Sequence, residues 1–160
     1  MKIIRRLRLG EGRLYRSVRL ESLRDSPEAF GSKYEDALAR SEESWDFQAD
    51  STASGSDRAT FIFIDEQPCG LGAVYRDESE AGVGELIQMW VSAKYRGSST
   101  AEDLLNEIFK WAASNGFSRI KAEVKSDNIR AIRFYERFGF LPSEDASSHS
   151  DVSVMFTRSV

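Results

Sequence analysis

Apolar residues recur with a mainly helical period from Glu11 to about Phe47, and the period changes to that of strands from Ala59. Ile3 to Leu9 alternates loosely and predicts a first strand. From Glu11 to Leu23, the residues Leu14, Tyr15, Val18 and Leu23 fall at near-helical spacing with Leu20 beside them, which predicts a helix. Ser26-Pro27 closes it, because proline disfavours helix at the residue before it. A second, more acidic helical region is expected over about Lys33 to Phe47. Asp50 to Asp57 has loop composition and is expected to be the most mobile segment.

Beyond it, Ala59 to Ile64 and Gly70 to Tyr75 are apolar runs joined by Asp65-Glu66-Gln67-Pro68, a hairpin signal. Val83 to Val91 follows a polar turn and barely alternates, so a strand covered on both faces is expected. Next comes a helix from about Ser99 to Ser114, with Ala101, Leu104, Leu105, Ile108, Trp111 and Ala112 as its apolar stripe and Gly116 as its stop. Ile120, Ala122 and Val124 alternate with Lys121, Glu123 and Lys125 as a strand does. Asn128 to Phe138 reads as a short helix closed by Gly139, and Phe140 with Val152 to Thr157 supplies the last strand material. This order predicts one α/β or α+β layered domain around a mixed sheet, without repeats or an interdomain linker.

Composition narrows the chemistry. At 160 residues the chain is about one domain long and needs no staple to hold its core. A lone cysteine, Cys69, excludes an internal disulfide, and a lone histidine, His149, leaves no Cys/His set for zinc, so no metal is expected. Cys69 reads as a small buried hydrophobe, and His149 as an exposed residue of a Ser-rich loop. No signal-peptide h-region or membrane-length apolar run is visible, so a cytoplasmic, membrane-free protein is expected. The net charge of −4 disfavours a general nucleic-acid binder. Charge is unevenly spread, with eight basic against two acidic side chains in residues 1–24 and nine acidic against two basic in residues 25–57. Two readings stand: a solvated helical surface, or an acidic rim that attracts a cationic acceptor.

Candidate chemistry concentrates between Glu85 and Leu105, where an apolar strand runs through a small-residue turn into an amphipathic helix. That arrangement aims unpaired N–H groups at a bound phosphate. The turn reads Arg96-Gly97-Ser98-Ser99-Thr100-Ala101, and about thirty residues on lie Asn128, Ala131, Phe134, Tyr135, Gly139 and Phe140. Together these resemble the GNAT acetyltransferases, which carry a Gln/Arg-x-x-Gly-x-Gly/Ala loop and an Asn-x-x-Ala-x-x-Phe-Tyr-x-x-x-Gly-Phe signature. Arg19-Leu20 through Pro27-Glu28-Ala29-Phe30 also looks like this family, so the resemblance spans nearly the whole chain.

The resemblance implies a central twisted mixed sheet flanked by helices on both faces. It also implies transfer of an acetyl group from acetyl-CoA to a primary amine of a small molecule or protein, with dimers common in the family. By the same resemblance Tyr135 is the acid that protonates the CoA thiolate and Glu85 the general base, with Glu123 next in line. Backbone groups of the strand at Met89, Trp90 and Val91 hold the pantetheine arm and thioester, Arg96 to Ala101 hold the pyrophosphate, and Asn128 and Ala131 border the arm. Each residue also has a plain structural reading: Met89 and Val91 as core, Glu85 as a solvated strand end, Tyr135 as packing and Asn128 as a helix cap.

In the loop the pattern departs. Ser99 stands at a glycine position, and Glu102 and Asp103 put two carboxylates in the first helical turn, where they oppose a pyrophosphate. Ser99-Thr100-Ala101-Glu102 also fits a capping box that would consume the helix's own donors. A fold that has lost tight CoA binding and serves a structural or regulatory role is therefore the competing class. A nucleotide-binding α/β protein of another kind would leave the second signature to coincidence.

Overall fold

The computed structural model describes residues 1–144, 150 and 152–160. Its strands are β1 (Lys2–Arg6), β2 (Arg58–Asp65), β3 (Gln67–Arg76), β4 (Val83–Val91), β5 (Arg119–Lys125), β6 (Leu141–Pro142) and β7 (Ser153–Ser159). Its helices are α1 (Gly12–Asp25), α2 (Tyr34–Leu38), α3 (Glu42–Ser51), α4 (Thr100–Ser114) and α5 (Ile129–Arg137), with short 3-10 turns at Pro27–Ala29 and Ala93–Tyr95. All seven strands join in one sheet in the order β1-β2-β3-β4-β5-β7-β6. Neighbours run antiparallel except β4 and β5, which run parallel because α4 crosses over between them.

Helices cover both faces. On one, α4 packs Leu104, Leu105, Ile108 and Ala112 onto Phe61, Val74, Leu86 and Ile120. On the other, Tyr15, Val18 and Leu23 of α1 join Trp45 and Ala49 of α3 over Ile62, Leu71 and Trp90. The predicted acidic helix is two helices, because the chain breaks at Ala39–Ser41, where Ser41 caps α3 by accepting from the Ser44 amide at 3.1 Å. The helical period continues through both, which hides the break from a periodicity reading. Part of the predicted loop, Asp50 and Ser51, belongs to α3, and Arg6 donates to the carbonyls of Thr52 and Gly55 beyond it. The hairpin turn is tighter than predicted, with Glu66 alone between β2 and β3 at φ 67°.

Two irregularities shape the site. The β3–β4 register shifts between Leu71 and Ala73, opposite Gln88, whose φ of 62° marks a bulge. Pairing of β4 with β5 ends at Leu86 and Ala122, so the rest of β4 leaves its parallel neighbour and the sheet opens.

Candidate active site

Where β4 leaves β5, a cleft of about 1010 Å³ lies between β4, the loop before α4, α5 and the turn after α1. Its walls include Met89, Trp90 and Val91 from β4, and Arg96, Gly97, Ser98, Ala101 and Glu102 from the loop and first turn of α4. Asn128, Ala131 and Tyr135 face them from α5. Of the twelve residues expected at a cofactor, ten thus meet at one cleft. Ser99 and Thr100 do not; they line the adjoining hollow, and Thr100 is buried, because the first turn of α4 rotates them away. Their backbone remains part of the loop.

The capping box does not form. The Ser99 hydroxyl donates to Asp103 Oδ2 at 3.1 Å, and no side chain caps α4 at Ser99. Among the described residues, the amides of Gly97, Ser99, Ala101 and Glu102 have no acceptor, and the Thr100 amide donates to Ser98 Oγ at 3.3 Å. Four donors at the start of a 15-residue helix therefore stand free for an anion. Gly97 supplies the left-handed conformation the loop needs, at φ 82°, whereas Ser99 sits at φ −77°, where serine costs nothing. The departure from glycine at Ser99 thus carries no backbone strain.

Arg96 is engaged within the protein. Its guanidinium pairs with Asp25 at the end of α1, and the same carboxylate accepts from Trp90 Nε1 at 2.9 Å. The indole bond, with help from Arg96, holds the Asp25 carboxyl below the usual carboxylate range. Asp25 therefore ties the loop to β4, a role that sequence reading missed because the partners are distant along the chain. Arg130 and Arg137 also line the cleft, and neither makes an ion pair among the described residues. Two cations on α5 thus face the loop whose Glu102 carries the opposite charge. Their helical spacing of seven was the signal that would have placed them together.

Tyr135 is 8% exposed, with its ring against Phe134 and Phe140 at 5.3 and 5.2 Å. Its hydroxyl has no hydrogen-bond partner among the described residues, and burial pushes the phenol well above its usual range. Asn128 caps α5 by accepting from the Ala131 amide at 3.2 Å, which leaves its NH₂ group for the cleft. Packing and capping are therefore real for these residues and compatible with a role at the cleft.

Glu85 stands apart. It does not line the cleft but occupies the sheet face on the α1 side, where Tyr75 donates to Glu85 Oε2 at 2.5 Å. Burial first, and this carboxylate second, push the Tyr75 phenol up to about 12. Lys121 and Asp77 form an ion pair on the same face, and Glu123 is exposed beyond them. Glu85 lies three residues before the bulge, roughly 10 Å along the strand. At the bulge itself, Gln88 Oε1 accepts from Tyr15 at 2.9 Å, and Tyr15 accepts from Gln48 at 3.0 Å. Cys69 is buried as expected, and burial raises its thiol. His149 lies outside the described residues.

The profile of the acetyltransferase (GNAT) family matches residues 19–140, which contain both the loop and the Asn128–Phe140 signature. The chain belongs to the GNAT acetyltransferase family. A GNAT acetyltransferase from Streptococcus pneumoniae has the same fold over the full length of both chains, with a TM-score of 0.81 at 17% identity. The PaiA N-acetyltransferase of Thermoplasma acidophilum, solved in complex with coenzyme A, superposes over 100% of this chain and 99% of its own with a TM-score of 0.80 at 17% identity. In sequence, this GNAT chain is 30% identical over 61 residues to the uncharacterized N-acetyltransferase YobR of Bacillus subtilis. That match spans 38% of the chain and 25% of YobR. Among the described residues, no helix is long and apolar enough to cross a membrane, and no group of His, Cys, Asp and Glu could hold a metal.

Proposed function

We propose that residues 1–160 form one cytoplasmic N-acetyltransferase domain that moves an acetyl group from acetyl-CoA directly to a primary amine. The opening of β4 from β5 carries the reading, because it frees a strand edge in a cleft that a tyrosine lines, next to a loop whose four amides have no acceptor among the described residues. The edge of β4 at Met89 to Val91 suits the amide-rich pantetheine arm. The amides from Gly97 to Glu102 suit the pyrophosphate, and Arg130 and Arg137 supply the cations that Glu102 lacks. Coenzyme A bound to PaiA supports the same class of cosubstrate here.

In this reading the amine nitrogen attacks the thioester carbonyl carbon, a C–N bond forms and the C–S bond breaks. Tyr135 gives its proton to the departing sulfur, and the proton shed by the amine leaves toward Glu85 through water, with Glu123 as the alternative sink. The dry surroundings that raise the Tyr135 phenol also raise the basicity of a thiolate beside it, so the proton transfer stays matched. A non-catalytic role rests on Glu102 and Asp103 alone. Calorimetry with acetyl-CoA, followed by thiol release with an amine panel, tests the proposal. Micromolar binding and amine-dependent thiol release are expected; no binding at millimolar acetyl-CoA would overturn it.

A further inference from the structure

Arg19 is 6% exposed, yet among the described residues it has no carboxylate partner. Its guanidinium stacks 4.7 Å from Phe30, which lines the cleft, and makes one long contact of 3.4 Å to Ser22 Oγ. The titratable groups it feels are Tyr15 and Arg40, and the second of these repels it. Arg40 lies 4.0 Å over the Trp45 ring and, among the described residues, donates to Ser44, while the Trp45 Nε1 is a buried donor without a partner among them. Among the described residues, this corner therefore holds two guanidinium groups and a buried indole donor with no carboxylate to balance them. A buried cation without a counter-ion costs stability, so its retention points to a ligand.

Position supports this. Arg19 is one turn beyond Tyr15 on α1, roughly 6 Å along the helix, and Tyr15 holds the β4 bulge through Gln88. We infer that Arg19 binds a carboxylate carried by the acceptor, so that the acetylated amine belongs to an amino acid or a similarly short amino-carboxylic acid. The inference rests on the acetyltransferase reading for the amine and on Arg19 for the carboxylate. A lysine within a folded protein offers no carboxylate so close to its amine and would leave Arg19 unpaired.

The two parts separate experimentally. N-acetylglycine, N-acetylleucine and N-acetylphenylalanine, each compared with its C-terminal amide, probe the carboxylate by the NMR shift of the Arg19 side-chain Nε–H. Glycine, leucine and phenylalanine, compared with their amides, probe transfer by thiol release. At least one acid is expected to shift Arg19 with an amide tenfold or more weaker, and the matching amino acid to be acetylated with a kcat/KM tenfold or more above its amide. Arg19→Met should erase that preference through KM while leaving Tm unchanged or raised, which a structural arginine would not do. Equal responses to acids and amides, or no shift with any acid, would overturn the carboxylate site. An acid-specific shift with no transfer to any amine would uphold the site and overturn the transferase reading.

Discussion

Tyr135 reaches the cleft with its ring fixed by Phe134 and Phe140 and its hydroxyl without a partner among the described residues, so its oxygen is the one atom a phenylalanine would remove. Tyr135→Phe is therefore expected to lower kcat by about 100-fold or more, the range for a lost general acid, while the dissociation constant for acetyl-CoA stays within about twofold. Steady-state rates with calorimetry check this, and an unchanged kcat would remove Tyr135 from the acid role. The residue type and its signature were legible in the sequence. The lack of a partner for the hydroxyl among the described residues was not, since it depends on what β4 and the loop place opposite α5.

The loop and the bulge act as elements. Because Ser99 adopts φ −77° and caps nothing, Ser99→Gly should change acetyl-CoA affinity by less than about twofold. Glu102→Arg reverses a charge at the helix N-terminus, worth about 0.3–1 kcal/mol for each of the two unit charges changed, and should tighten acetyl-CoA roughly three- to thirtyfold. Titration calorimetry of both variants separates the contributions, and weaker binding by Glu102→Arg would show that the acid is not a liability. Opposite the bulge, a Cβ on Gly72 would meet Met89 Sδ at 2.4 Å and Ile108 Cδ1 at 2.9 Å. Because Met89 Sδ and Ile108 Cδ1 are the ends of flexible side chains, Gly72→Ala should push Met89 toward the cleft and weaken acetyl-CoA at a stability cost below about 1 kcal/mol, as calorimetry and urea unfolding will show. The strand was readable from Val83 to Val91 to the residue, whereas the bulge was not, because it is a mismatch of register with β3 rather than a property of β4.

Across the molecule, paired charges set the pH range of stability. Glu11 bonded to Arg5, Asp25 to Trp90 and Asp77 to Lys121 all lie below the usual carboxylate range when folded. The unfolded chain takes up protons first as pH falls, so stability should hold at neutral pH and be lost progressively below about 4. Tyr75, pushed up to about 12, keeps its proton in the folded state, with burial raising Tyr15 and Tyr135 in the same direction. Unfolded tyrosines ionise near 10, so stability should also fall above about pH 10. Urea titrations across pH with absorbance at 295 nm check both limbs; folded tyrosines that all ionise near pH 10 would contradict the second. Part of the acidic run from Asp25 to Asp57 is paired, by Arg96 on Asp25, Arg13 on Glu42 and Arg76 on Asp57.

Periodicity alone determined the α1, α4 and α5 helices, the strands beside them and the family signature, because 3.6- and 2-residue repeats and short motifs are local facts of the chain. The break between α2 and α3 was invisible for the same reason, since both halves keep one period. Tertiary structure alone decided that Arg96 belongs to Asp25, that Glu85 stands back from the cleft, and that Ser99 leaves the helix donors free. It also left Arg19 and Arg40 without a carboxylate partner among the described residues. Such pairings join residues far apart in sequence, and their energies depend on burial and on which group approaches first, quantities that exist only once the chain has folded.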